Sequence, residues 1–198
     1  MAYYSLFHMD PHEVRKLGIM NRCDVHGAIR RLFPDVMSPS VRHLFKIKND
    51  SRDGMDVLVQ SGDEPTQNSH IKKTREIPDN LFNFTRYQFH VECNPTNSIK
   101  GVKRGTRVNI FNYETALAWF EKKAAASGFK VVGNSMGVPK FDREYGVKRD
   151  MNSIIWSVMQ VNGILEVTDK DLFKHTVLNG FGCGKAYGFG LIEIKVVQ

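Results

Sequence analysis

The sequence predicts an α+β fold of two tandem units, each in the order strand, helix, strand, strand, helix, strand. Three observations carry that expectation. Apolar residues alternate at period two in several short runs and recur at helical spacing in longer ones. Each helical stretch opens on a capping residue and closes on Pro or Gly. Pro78-Asp79-Asn80 interrupts both patterns and divides the chain into residues 1–80 and 81–198. The halves share no residue-level repeat, so the duplication is architectural.

In order, residues 2–8 read as a strand. A helix is predicted over Asn21–Phe33, with Asn21 as cap and Asp24 in the capping-box position. Val25, Ile29, Leu32 and Phe33 make its apolar stripe, and Pro34 stops it. His43–Lys48 and Met55–Gln60 read as strands around the turn at 49–54. A weak polar segment follows, then a strand over Thr74–Ile77.

The second half opens with a strand over Phe84–Glu92, broken by Asn94-Pro95. Asn112 caps a helix that ends near Ser127-Gly128, with Leu117, Phe120 and Ala124 inward. Strands over Phe129–Val132 and Ile154–Val167 follow. Thr168, with Asp171 three residues on, caps a helix to Asn179, and Leu191–Val197 is the last strand. Two copies of βαββαβ make the ferredoxin-like, or RRM-like, pattern.

Composition narrows the function. The chain of 198 residues carries a formal charge of +7 and a pI near 9.3, which favours an anionic partner. It holds no run of eighteen apolar residues, so no membrane span is expected. Cys23, Cys93 and Cys183 lie far apart without a C-x-x-C pair. That usage fits a reducing, cytoplasmic setting and excludes a disulfide or zinc framework. The histidines show no metal-ligand spacing, so neither metal nor cofactor is expected.

Residues 180–190 hold five glycines, Lys185, Tyr187 and Phe189, followed at once by a strand. Glycine backbone can approach a ligand closely, and successive N–H groups can cradle an anion. Gly182, Gly184 and Lys185 are therefore candidate phosphate contacts. The other reading is a connection that lets a helix and a strand pack. The stretch is no nucleotide P-loop, because Ala186 follows the lysine and the strand comes after it. Tyr187 and Phe189 fit either base stacking or the core.

On the first helix, Arg22, His26 and Arg30 recur every four residues and form one row beside the apolar stripe. RNA is cut without metal when its own 2′-OH attacks the adjacent phosphorus. That reaction needs a base, an acid and positive charge. Histidine serves as base or acid because its reference pKa of about 6.5 lies near neutrality. His26 is the candidate, with Arg22 and Arg30 as phosphate contacts; a surface or structural histidine is the alternative. The other six histidines are taken as structural or surface groups. Lys100, Lys103, Arg104 and Arg107 give four positive charges in eight residues without an acid, and Lys148-Arg149 is a second basic pair. Both are candidate RNA contacts.

Four stretches together resemble a known family: Val25-His26-Gly27-Ala28-Ile29-Arg30-Arg31-Leu32-Phe33-Pro34; Cys93-Asn94-Pro95 with Lys100, Lys103 and Arg104; Ala118-Trp119-Phe120; and the glycine loop. In this order they are similar to the CasE-type CRISPR RNA endoribonucleases of type I-E systems, within the RAMP superfamily. The resemblance spans nearly the whole chain. It implies two tandem ferredoxin-like domains and metal-independent cleavage of a CRISPR repeat RNA hairpin at its base. It also implies that the product stays bound within an interference complex, beside other subunits. His26 matches the family's histidine. Relatives place a tyrosine three residues earlier, where this chain has Cys23. A non-catalytic subunit that caps an RNA hairpin is the alternative function.

Overall fold

The computed structural model describes residues 1–31, 33, 43–66, 69–99, 106–148 and 150–197. The N-terminal half contains strand β1 (Tyr3–Met9), the short helix α1 (Pro11–Lys16) and helix α2 (Arg22–Arg30). Strands β2 (Leu44–Ser51), β3 (Gly54–Ser61) and β4 (Ile71–Glu76) complete it. They form an antiparallel sheet in the order β2-β3-β1-β4, with Phe7 opposite Val57. Ser5, Phe7 and Met9 alternate inward along β1, and Phe7 and Met9 share a core with Val25, Ala28 and Ile29 of α2. Each large apolar side chain so buried contributes about 1.5–3 kcal/mol.

The C-terminal half holds β5 (Arg86–Cys93), a small hairpin of β6 (Thr96–Ser98) and β7 (Arg107–Asn109), and α3 (Tyr113–Ala125). β8 (Phe129–Val131), β9 (Lys140–Val147), β10 (Ser153–Val167), α4 (Lys170–Asn179) and β11 (Ile192–Val196) follow. The sheet order is β11-β5-β10-β8, and β9 pairs with β10 as well. β10 is long enough, at fifteen residues, to serve both neighbours: Leu165 faces Val131 of β8, and Ile155 faces Tyr145 of β9. Its core joins Tyr87, Phe89 and Val91 to Phe120, Phe173 and Phe181.

Both sheets thus follow the ferredoxin-like strand order, and the fold is α+β as expected. Four elements differ. Among the described residues no helix stands between β3 and β4. Helix α1 was unexpected, although Asp10 caps it by accepting from His12 and Glu13 N–H, each at 2.8 Å. The β6–β7 hairpin was also unexpected. So was β9, whose residues 142, 144 and 146 turn Asp, Glu and Gly, not an apolar row, to one face. The halves touch through Gln60, which is buried and donates to the carbonyls of Val177 and Leu178, both at 3.0 Å. No helix among the described residues is long and apolar enough to cross a membrane.

Candidate active site and RNA interface

The site is built around α2. Asn21 Oδ1 accepts from Cys23 N–H at 2.9 Å, and Asp24 accepts from the N–H of Asn21 at 3.2 Å. These bonds satisfy donors that a helix start otherwise leaves open. Asn21 Nδ2 also donates to Val147 O at 3.0 Å, which ties the helix to the end of β9. With Val25, Ala28 and Ile29 facing the core, the row Arg22, His26, Arg30 is left on the helix flank.

His26 is half-buried, its ring centroid 6.5 Å from that of Phe45 on β2. Burial, and then the Arg30 charge, push its pKa below the ordinary value of 6.5. The imidazole is thereby held neutral at neutral pH, the form that accepts a proton. Phe45 also lies against the glycine loop, since a Cβ on Gly188 would stand 2.6 Å from its ring. The loop's 3-10 turn, Lys185–Tyr187, packs against α2 and β2. Helix row and loop are therefore neighbours.

His43, expected to be structural, lies in the same neighbourhood. Its ring centroid is 4.0 Å from that of Phe33, and its Nε2 is buried without a hydrogen-bond partner among the described residues. Burial lowers its pKa to about 4, helped by the charges of His26 and Arg30. Nothing in the sequence pattern singled it out.

Arg22 was expected on RNA, but its side chain is engaged by protein. Its Nε and Nη2 form a fork on Glu144 at 2.9 and 3.0 Å. Nη2 also reaches Glu92 at 2.7 Å, Nη1 donates to Tyr187 O at 3.0 Å, and the guanidinium covers the Phe189 ring at 4.4 Å. Only 9 % of the side chain is exposed. Burial pulls the Arg22 pKa down, but Glu144 and Glu92 outweigh it and hold it above its ordinary value. Gln160 Nε2 donates to the other Glu92 oxygen at 2.9 Å. The arginine is a clamp between α2, β5, β9 and the loop. Neither Glu92 nor Glu144 was foreseen, because no local spacing pairs them with a residue 70 and 122 positions away.

The glycine loop also departs from expectation. At Gly184 (φ 76°) a Cβ would stand 2.8 Å from Phe189, and at Gly182 it would meet Trp119 at 3.1 Å. At Gly190 it would meet Phe181 O, in backbone at φ 86°. The missing side chains make room for protein. Phe189 is fully buried, and Tyr187 packs on Trp156 with ring centroids 5.0 Å apart. Both belong to packing.

Among the remaining candidates, Arg30 and Arg107 are exposed, and Lys148 and Lys185 are partly exposed. Lys148 follows β9 near Cys23, whose thiol pKa is raised by burial and by Asp24. Cys23 is therefore held as the thiol. Lys100, Lys103, Arg104 and Arg149 lie outside the described residues. Among the described residues no group of three or more His, Cys, Asp or Glu is arranged to hold a metal ion.

A family model described as CRISPR associated protein matches residues 2–195. The chain belongs to that family. No curated protein matches this CRISPR-associated protein in sequence. Its structure is similar to that of the CRISPR endoribonuclease Cse3 bound to a 19-nucleotide RNA: TM-score 0.80, 20% identity, 99% of this chain and 100% of that one. Cas6e from Escherichia coli K-12 superposes with TM-score 0.74 at 20% identity, covering 100% of both chains. A chain of a CRISPR RNA-guided surveillance complex in a pre-nicking state gives TM-score 0.72, again at 20% identity and over 100% of both chains. At this identity the likeness establishes the shared fold.

Proposed function

We propose that this CRISPR-associated protein is a metal-independent endoribonuclease that cleaves CRISPR precursor RNA at the base of the repeat hairpin. The observation that carries the reading is His26. It is a half-buried imidazole held neutral on a helix flank, with the cation Arg30 one turn away. The similar fold of an endoribonuclease seen with RNA supports it. In the reaction the substrate's 2′-oxygen bonds to phosphorus as the bond to the 5′-oxygen breaks. The products are a 2′,3′-cyclic phosphate and a free 5′-OH. His26 takes the proton from the 2′-OH or gives one to the leaving oxygen, a contribution of typically 10²–10⁴-fold. Arg30 and Lys185 balance charge on the phosphorane.

Residues 1–80 form the unit with the catalytic helix, and 81–198 the unit that grips RNA through Lys100, Lys103, Arg104, Arg107, Lys148 and Arg149. The protein keeps its product and joins an interference complex, in line with its likeness to a chain of a surveillance complex. A second reading is a non-catalytic hairpin cap. Cys23 favours it, because a thiol with a raised pKa is a poor acid or base at that position. Repeat RNA incubated with the protein in EDTA separates them. The nuclease cuts, the cap binds uncut RNA, and a protein that does neither refutes both.

A further inference from the structure

The wing formed by β9 and β10 carries a feature the RNA-cleavage reading does not use. Its two faces differ. Residues 144 and 146 of β9 turn toward α2, where Glu144 holds Arg22 and Gly146 lies against Trp156 and Cys23. The alternate residues, Arg143, Tyr145 and Val147, take the other face of the strand, and at its edge Tyr145 and Val147 border a cavity with Asn21 and Asp24 at the start of α2. By register they lie beside Ser157, Ile155 and Ser153 of β10.

This second face is apolar and open. Tyr145 is 66% exposed and Ile155 40%. The patch continues onto the chain before α3: Asn109 Nδ2 donates to Ile155 O at 2.6 Å, and the Arg143 guanidinium covers the Phe111 ring at 4.6 Å. Phe111 is itself 39% exposed. A contiguous exposed patch of this kind marks an interaction site. Its charge indicates the partner. On the two strands the face bears the cation Arg143 and no acid, because Asp142 and Glu144 belong to the opposite face. Exposed Arg107 lies two residues before Asn109, and half-exposed Lys148 follows Val147 in the chain.

We propose that Phe111, Arg143, Tyr145 and Ile155 form a stacking platform for unpaired bases of an RNA strand that continues from the bound hairpin. Aromatic rings and a guanidinium plane are the groups on which unstacked bases lie, and neighbouring cations hold the strand's phosphates. Such stacking tolerates any base, so the platform lengthens the footprint without adding a sequence requirement. The inference rests on the RNA-binding reading above.

The test compares a blunt repeat hairpin with the same hairpin bearing a short single-stranded extension that contains 2-aminopurine. Wild-type protein binds the extended RNA about tenfold more tightly and quenches the fluorophore. Tyr145→Ala loses the gain and the quenching, yet binds the blunt hairpin as wild type does. Arg143→Gln loses part of the gain. An extension that adds no affinity to wild type overturns the platform alone, whereas failure to bind either RNA overturns the RNA-binding reading with it. Two further results also reject the platform. One is that Tyr145→Ala weakens both RNAs equally. The other is that it abolishes self-association in sedimentation while both RNAs bind normally, which makes the face a protein interface.

Discussion

Arg22 and Arg30 occupy one row of α2, two turns apart, yet the fold uses them in opposite ways. Arg22 is nearly buried and bonded to two carboxylates and a backbone carbonyl. Arg30 is exposed, and among the described residues it makes no hydrogen bond or ion pair; it acts on its surroundings as a charge beside His26. The first turn of the helix is therefore locked to the C-terminal half, and the last turn keeps its polar groups available. The row is the same for both residues. What differs is what the rest of the chain brings opposite each. A catalytic group needs a fixed base and an open face, and α2 supplies them at its two ends.

The largest predicted effect tests the locked end. Arg22→Ala leaves the carboxylates of Glu92 and Glu144 partly buried without their cation. It is expected to lower unfolding free energy by roughly 3 kcal/mol, whereas Arg30→Ala changes it by less than about 0.5 kcal/mol. Denaturant titration of both variants measures the contrast, and equal losses would erase it.

The next test is at the open end and depends on pH. The His43 pKa falls from 6.5 in the unfolded chain to about 4 in the fold, so the unfolded state binds more protons between those values. Stability is therefore full above pH 6.5 and is lost as pH falls toward 4, by up to roughly 3 kcal/mol. His43→Leu, which suits the Phe33 contact, removes that slope. Melting temperatures at pH 5 and pH 7.5 show it: wild type drops on acidification and the variant far less. Parallel drops would contradict the assignment.

A smaller effect belongs to Arg30. Because burial and then Arg30 depress the His26 pKa, the acid limb of the cleavage rate lies below pH 6.5 when His26 is the base. Arg30→Ala moves that limb upward, and only slightly, since an exposed charge is screened. A limb that stays in place removes Arg30 from the electrostatics of the site.

Much of this was legible in the sequence wherever local chemistry decided it. Asn21 and Asp24 cap α2 as their spacing indicates, and the β1, β2, β3 and β5 runs lie within a few residues of their expected places. The cap of α4 is Asp169 rather than Thr168, a shift of one residue between two good capping types. Strand β9 stayed hidden because the face it turns to the protein includes Glu144, which is held there, partly buried, by pairing with Arg22 rather than by apolar character. The glycine loop announced close approach but not to what, since the Phe189 ring folds back within the loop and the Trp119 ring arrives from α3. His43 and Glu92 gave no signal, for the same reason: their partners are brought together only by the pairing of α2 with the two sheets.

The central claim is that the open end of α2 carries the chemistry through His26. It is tested most directly by incubating His26→Ala and wild type with a repeat hairpin in EDTA, following cleavage by gel and affinity by filter binding. The account predicts that wild type cuts at the hairpin base, and that the variant binds with nearly wild-type affinity and leaves the RNA intact. Cleavage by the variant at the wild-type rate would contradict it.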